Sequence, residues 1–398
     1  MDLSSFRELL SPVGQGVLRV AMELQPSEED FLRHFQNLSR KYPRELARAA
    51  LEIAILRSKA GAKFPFGDKM YFTRPALEQA TPYAVSDYRS QRYRPFDYLS
   101  DLACSVGGDT LSLAAIRPTI GIDLDLLRLA MAQANMRALN LANPVEFLQG
   151  DLKSPLPLSP IPSNLALFFD PARRTAGRRI YSVQDYIPPL SILQDWLPRF
   201  PALGVKISPG VKVAEFLDYD SEIEFISLRG ELKEAVLWFG PLKTTIRRAT
   251  VLPGPHTLAS TTSWSVQPAS REKIPLREPQ AYLYEPDPAV IRAGLVQNLG
   301  LQLDAAQLDP DIAYLTAETQ MPTPFARAWA VEDWFPFQLK RLRAYLRERN
   351  VGRVTVKKRG SPIQPEDLIR SLRLQGDEER LVFLTHFRGR PIVLICFT

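Results

Sequence analysis

Four acidic residues close four successive apolar runs, and the first of them introduces a glycine turn. FDYLSDLA leads through Cys104-Ser105-Val106-Gly107-Gly108-Asp109 into a helical pattern. A strand, a glycine turn and a helix form a nucleotide-type cradle. Gly107 and Gly108 let the backbone approach a ligand with no Cβ in the way, and the helix start presents free N–H groups. Asp101 and Asp109 flank the turn, and Cys104 reads as a small packing residue beside the ligand. PTIGID ends in Asp123, 22 residues after Asp101, where a carboxylate can accept both hydroxyls of a ribose. PVEFLQGD ends in Asp151, next to Leu152, placed to hydrogen-bond an adenine amino group. Any one such aspartate also reads as a helix N-cap. Three at consecutive strand ends, in register with one glycine turn, form a more specific pattern.

The fourth run, NLALFFD, is almost continuously apolar, as a central parallel strand covered on both faces must be. Asp170-Pro171-Ala172-Arg173-Arg174 follows it, and Arg173, Arg174, Arg178 and Arg179 fall within seven residues. Guanidinium groups bind phosphate bidentately, so a nucleic-acid backbone is one natural ligand; carboxylates that hold the loop are the other. Tyr181 and Tyr186 read either as stacking rings or as packing residues. Lys206, in VKISPG, is a candidate for phosphate contact or for pairing with the cofactor loop.

The elements that must position these residues follow from periodicity. Short apolar runs alternate with amphipathic stretches beyond about residue 95, which predicts a doubly wound, parallel α/β sheet. EIEFISLRGELKEAVLWFG predicts an antiparallel hairpin about Arg229-Gly230 that closes the sheet. Before it, apolar residues recur at helical spacing from Asp30 to Lys59 with a break at Tyr42-Pro43, so residues 1–94 read as a helical N-terminal domain. Residues 95–282 then form the sheet domain, of which 253–280, rich in Pro, Ser and Thr, read as a loop. Residues 283–398 form a C-terminal domain whose last part, about 326–398, predicts helix, strand, helix and a terminal hairpin as a small α+β module.

Composition narrows the class. With 398 residues, 45% hydrophobic and 24% charged, the chain reads as globular with more than one domain. No apolar stretch approaches the ~18–20 residues of a membrane helix, and MDLSSFRELLSPVGQG lacks the order of a signal peptide, so a cytoplasmic location without a membrane partner is expected. Two cysteines and three histidines, widely scattered, argue against a metal centre. The +6 charge is localised. Residues 326–398 carry 15 Lys/Arg against 8 Asp/Glu, and residues 57–94 carry 8 against 3 with seven interleaved aromatic rings, Phe64 and Phe66 among them. Cations neutralise phosphates and rings stack on bases, which points to RNA; a solvated basic face over an aromatic cluster is the other reading. On the helix near residue 340, Lys340, Arg343 and Arg347 share one face.

The order D-L-A-C-S-V-G-G-D, I-D, G-D and F-D-P-A-R-R resembles the class I S-adenosylmethionine-dependent methyltransferases. More narrowly it is similar to the bacterial members with a C-terminal THUMP-like domain, whose pattern is D-x-C-C-G-x-G-G-D followed by D-P-A-R-R. The likeness covers residues 60–210 and resumes at Tyr284-Glu285-Pro286-Asp287-Pro288, Lys357-Lys358-Arg359-Gly360 and Leu372-Arg373-Leu374-Gln375-Gly376. Ala103 and Ser105 stand where that pattern has Cys and Gly. The resemblance implies S-adenosylmethionine held by Asp101, Cys104, Gly107, Gly108, Asp109, Asp123, Asp151 and Leu152. It implies catalysis at Asp170 and Pro171, where amino-group methyltransferases carry D-P-P-aromatic, and it implies RNA as the ligand of Arg173, Arg174, Arg178, Arg179, Phe64 and Phe66. Methylation of a nucleobase nitrogen in RNA is the leading expectation. A non-catalytic RNA-binding protein on the same fold, or methylation of a small molecule or protein, is the alternative. The sequence does not specify an oligomeric state.

Overall fold

A computed structural model of the chain describes residues 1–154, 156, 158, 162–172, 174–175, 178–179, 182–262 and 273–398, with the backbone alone at 174, 175, 178 and 179. Two compact units divide it, Met1–Ile223 with Lys233–Thr244, and Glu224–Leu232 with Thr245–Thr398.

The first unit opens with helices α1 (Leu3–Leu9), α2 (Pro12–Glu23), α3 (Phe31–Leu38) and α4 (Arg44–Ala60). Local chemistry starts two of them. Asp2 accepts the Ser5 amide, while Ser11 accepts the Gly14 amide with Pro12 in the first turn. Tyr42-Pro43 separates α3 from α4, as the sequence predicts. Short helices α5 (Arg74–Gln79) and α6 (Tyr83–Ser90) lead into β1 (Tyr98–Leu102), α7 (Gly108–Ala114), β2 (Thr119–Asp123), α8 (Leu126–Leu139), β3 (Val145–Gln149) and β4 (Leu165–Phe169). Two-residue strands β5 (Arg174–Thr175) and β6 (Arg178–Arg179), the short helix α9 (Leu193–Trp196), β7 (Leu203–Ile207), β8 (Ser221–Leu228) and β9 (Glu231–Phe239) follow. The sheet of this unit runs β9-β7-β4-β1-β2-β3. Its strands are parallel except for β9, which pairs antiparallel with β7. β4 and β7 are buried at every position, which explains the unbroken apolar sequence of β4; in β7 the one charged residue is Lys206. Arg229 and Gly230, both at positive φ, turn β8 into β9 where the sequence places the hairpin.

The N-terminal helices share one core with the sheet's helices: Phe6, Leu18, Leu46, Leu51, Phe64 and Phe72 pack with Val106, Leu111 and Met131. A buried amide secures the junction. Asn135 on α8 accepts the Tyr71 amide (2.7 Å) and donates to the carbonyls of Tyr71 (3.1 Å) and Val106 (2.9 Å). Arg89, near the end of α6, is buried over the Phe168 ring at 3.9 Å, with one guanidinium nitrogen 2.5 Å from Glu234 on β9 and another on Asp109 of α7.

The second unit contains β10 (Arg247–Leu252), β11 (His256–Ser260), β12 (Tyr282–Pro286), α10 (Pro288–Arg292), α11 (Val296–Gln302), β13 (Ala306–Asp309), β14 (Ile312–Ala317), β15 (Ala326–Pro336), α12 (Leu339–Glu348), β16 (Val351–Lys358), α13 (Pro365–Leu372), β17 (Glu378–Phe387) and β18 (Arg390–Cys396). β11 falls where the sequence predicts a loop. Its single buried apolar residue, Leu258, gives no strand pattern, and its backbone pairing with β10 makes the strand. Residues 263–272 of that predicted loop lie outside the described residues. The seven-stranded sheet runs β13-β14-β12-β15-β18-β17-β16, with the terminal hairpin β17–β18 and the helix-strand-helix order as expected. Arg343 and Arg347 of α12 donate to the carbonyls of Ser371 (2.5 Å) and Arg373 (3.2 Å), the last carbonyls of α13 and its cap. Two cations of the predicted basic face thus cap a helix.

Replacing Arg89 by Met leaves two carboxylates without their buried counter-charge. Urea denaturation should show a loss of about 3–5 kcal/mol; a loss under 1 kcal/mol would show that the cluster is not holding the fold.

Candidate functional site

A cavity of about 900 Å³ opens at the carboxyl ends of the parallel strands, lined from the glycine turn by Ala103, Cys104, Ser105, Val106, Gly108 and Asp109. Asp123, Leu124, Asp151 and Leu152 line the side of β2 and β3, and Asp170, Pro171, Ala172 and Lys206 the side of β4 and β7. Lys63, Glu78, Ala80, Thr81 and Pro82, from the N-terminal part, complete the wall.

The turn is unusual in its backbone. Ala103 (φ 61°), Ser105 (φ 51°) and Gly107 (φ 81°) all occupy the left-handed region, although only the last is glycine. A side chain in that region costs about 1–2 kcal/mol. At Gly107 a Cβ would also stand 3.0 Å from Met136 Cε and 3.2 Å from Ala132 Cβ. Asp123 offsets the cost at Ser105. Its Oδ2 accepts the Ser105 amide at 2.8 Å and its Oδ1 the Asp125 amide at 2.9 Å, so one carboxylate fixes both the turn and the end of β2.

Asp101 is brought close but does not line the cavity. It is buried and accepts the Thr110 hydroxyl at 2.5 Å, and burial, with the Asp109 charge next in size, pushes its carboxyl well above the usual carboxylate range. Asp109 lies in the first turn of α7 and pairs with Arg89. Burial alone would depress the Arg89 guanidinium, but Glu234 and Asp109 outweigh it and raise its affinity for the proton. The Cys104 thiol is pushed far up, first by burial and then by the charges of Asp101 and Asp123, so it is a packing group rather than a nucleophile. Asp151 faces solvent, accepting the Lys153 amide at 3.0 Å, and Leu152 is buried beside it.

Across the cavity, Lys206 donates to Asp170 Oδ2 at 2.6 Å and to Thr81 Oγ1 at 2.7 Å. Pro171 is buried, and Ala172 exchanges backbone hydrogen bonds with Ile187. Tyr186 is a packing residue: it is buried, and its hydroxyl accepts the Ser208 amide at 2.9 Å. Arg173 and Tyr181 lie outside the described residues. Arg174, Arg178 and Arg179 are placed by backbone alone, Arg174 opposite Arg179 and Thr175 opposite Arg178 across the β5–β6 pair. Phe64 is buried against Phe72, and Phe66 packs edge-on to Tyr83 at 4.9 Å; neither lines the cavity.

Much of the 57–94 charge is used internally. Arg57 donates to the Met70 and Lys69 carbonyls, Lys59 and Arg74 pair with Glu28, Lys63 caps the end of α5, and Arg92 pairs with Glu222. Sequence reasoning missed Arg89, Thr81 and Glu234 as contributors, because their partners lie 20 to 153 positions away in the chain and no local pattern marks them. Among the described residues no cluster of three or more His, Cys, Asp or Glu is arranged to hold a metal, and no helix is long and apolar enough to cross a membrane.

A carboxyl raised by burial contributes stability below its unfolded pKa, and loses it as pH rises through the folded value. Asp101→Asn keeps an acceptor for Thr110 and never ionises. Its melting temperature relative to wild type should therefore climb as pH is raised from about 4 to 8; a pH-independent difference would contradict the raised pKa.

Comparison with known proteins follows the same geography. Residues 96–185 match a family described as RNA cap guanine-N2 methyltransferase, residues 326–397 a THUMP domain-like family, and residues 2–60 a domain of unknown function. Two uncharacterized S-adenosylmethionine-dependent methyltransferases of Mycobacterium tuberculosis, from strains CDC 1551 / Oshkosh and H37Rv, are each 34% identical over 351 residues, which is 84% of this chain and 91% of theirs. The crystal structure of a Porphyromonas gingivalis W83 protein described as a methyltransferase has the same fold, with a TM-score of 0.80 over 98% of both chains at 23% identity.

Proposed function

Because the chain belongs to the S-adenosylmethionine-dependent methyltransferases, we propose that its cleft carries a methyl group to a nitrogen of an RNA base, in the cytoplasm. The cavity suits the cofactor. Part of its lining is a turn with Ala103, Ser105 and Gly107 in the left-handed region, Asp123 stands at the β2 end as an acceptor for hydroxyls, and Asp151 and Leu152 lie further along the same edge. When bound, S-adenosylmethionine supplies a methyl group on a sulfonium sulfur, open to in-line displacement.

What remains for the protein is alignment of the acceptor and removal of a proton. The observation that carries the reading is Asp170. Its carboxylate lines the same cavity as the glycine turn and Asp123, and Lys206 holds it at 2.6 Å. There it can accept hydrogens from an amine, orient the nitrogen lone pair and take up the proton as the new bond forms. The backbone carbonyl of Pro171, which lines the same cavity, would serve as a second acceptor. RNA as the acceptor is supported by the cap guanine-N2 family match around this site and by the THUMP domain-like match over the tail. Lys340, Arg373 and Arg390 of that tail make no ion pair among the described residues, leaving cations for phosphate.

Mass spectrometry of RNA nucleosides from cells with and without the gene tests the substrate directly. One methylated base should disappear on deletion and return when that RNA is incubated with purified protein and cofactor; an unchanged nucleoside profile would remove RNA as the acceptor. Calorimetry separates the two aspartates. Asp123→Ala should weaken cofactor binding by about 2–4 kcal/mol. Asp170→Ala should leave that affinity within about twofold and lower turnover by about two orders of magnitude. Equal losses of binding and turnover in both variants would place Asp170 on the cofactor side.

A further inference from the structure

Lys206 is buried, its side chain 3% exposed against 23% for Asp170, yet the reading of Asp170 as the acceptor-side carboxylate leaves the lysine without a task of its own. We propose, resting on that reading, that Lys206 and Thr81 are positioning residues that aim the Asp170 carboxylate, so that the N-terminal helical part builds the acceptor wall of the reaction site.

A lysine has four rotatable side-chain bonds and would follow any movement of a carboxylate paired with it alone. Here a second contact fixes it. The Nζ donates to Thr81 Oγ1 at 2.7 Å as well as to Asp170 Oδ2 at 2.6 Å. Having accepted from lysine, the Thr81 hydroxyl directs its own proton to Glu234 Oε2 at 3.4 Å, and Glu234 is held by Arg89. Thr81 is in turn placed by Lys63, whose Nζ donates to the carbonyls of Leu77 (2.8 Å), Glu78 (2.7 Å) and Ala80 (2.8 Å) at the end of α5. Donors and acceptors alternate without a mismatch from Arg89 through Glu234, Thr81 and Lys206 to Asp170. A misplacement near 1 Å in a reacting group can cost on the order of a hundredfold in rate, which gives such a hold its value.

Two variants of Thr81 separate aim from packing. Thr81→Val keeps the shape and deletes the hydroxyl, whereas Thr81→Ser keeps the hydroxyl and deletes a methyl. With RNA from cells lacking the gene as acceptor, Val should lower kcat about tenfold to a hundredfold, with KM and cofactor affinity within about twofold, and Ser should retain most of the wild-type rate. In an Asp170→Asn background, Thr81→Val should add little further loss. Crystal structures of the two variants give a readout independent of any acceptor. The Lys206–Asp170 contact should persist in Ser and lengthen or rotate in Val. Val as active as wild type, Ser and Val equally impaired, or a contact unchanged in Val would each overturn the proposal. If wild-type protein leaves the RNA unmethylated, the RNA reading fails, and the crystal structures still decide whether Thr81 aims the carboxylate.

Discussion

One guanidinium holds the working end of this molecule together. Arg89 is charged, buried and stacked on the Phe168 ring of the central strand, and its two arms end on Asp109 of the glycine-turn helix and Glu234 of β9. An isolated charge in that position would cost several kcal/mol, so the two carboxylates and the arginine stand or fall as a set. The glycine turn, β4 and β9 are thereby referenced to α6. Thr81 and Lys206 extend the same network to Asp170, so charge pairing inside the fold and the placement of the Asp170 carboxylate are parts of one arrangement.

The same accounting changes what the charge runs mean. In the sequence, residues 57–94 are an excess of cations among rings, the pattern of a nucleic-acid surface. In three dimensions Arg57, Lys63, Arg89 and Arg92 point at carbonyls and carboxylates of their own unit, and Phe64 and Phe72 belong to its core. Formal charge counts side chains; a ligand meets only those left over. The tail shows both cases, since Arg343 and Arg347 close a helix end while Lys340 and Arg373 keep no acidic partner among the described residues.

Legibility followed locality. The glycine turn, the aspartates at 101, 123, 151 and 170, the Arg229-Gly230 hairpin and the terminal hairpin are written within a few residues each, and all occur as strands, turns and helix starts where the sequence places them. The division of labour among those aspartates was not legible. Asp101 is a buried partner of Thr110 while Asp123 lines the cavity, and which strand-end carboxylate meets the cavity depends on the fold rather than on strand-end position. The Thr81, Lys206 and Glu234 contacts join segments more than a hundred residues apart, and no window along the chain contains them. β11 was missed for a related reason: an edge strand made by pairing carries little apolar periodicity.

The glycine turn that lines the cavity contains two side-chain-bearing residues in left-handed geometry, and the Asp123 carboxylate restrains one of them through the Ser105 amide. On the reading proposed above, that carboxylate is also the acceptor for the ribose hydroxyls. Recognition and loop shape therefore draw on the same few lone pairs, and neither can be set independently of the other. By linkage, a ligand that engages Asp123 alters the stability of the turn by as much as the turn alters the ligand's affinity. On that reading the turn is part of the binding equilibrium rather than a fixed support for it.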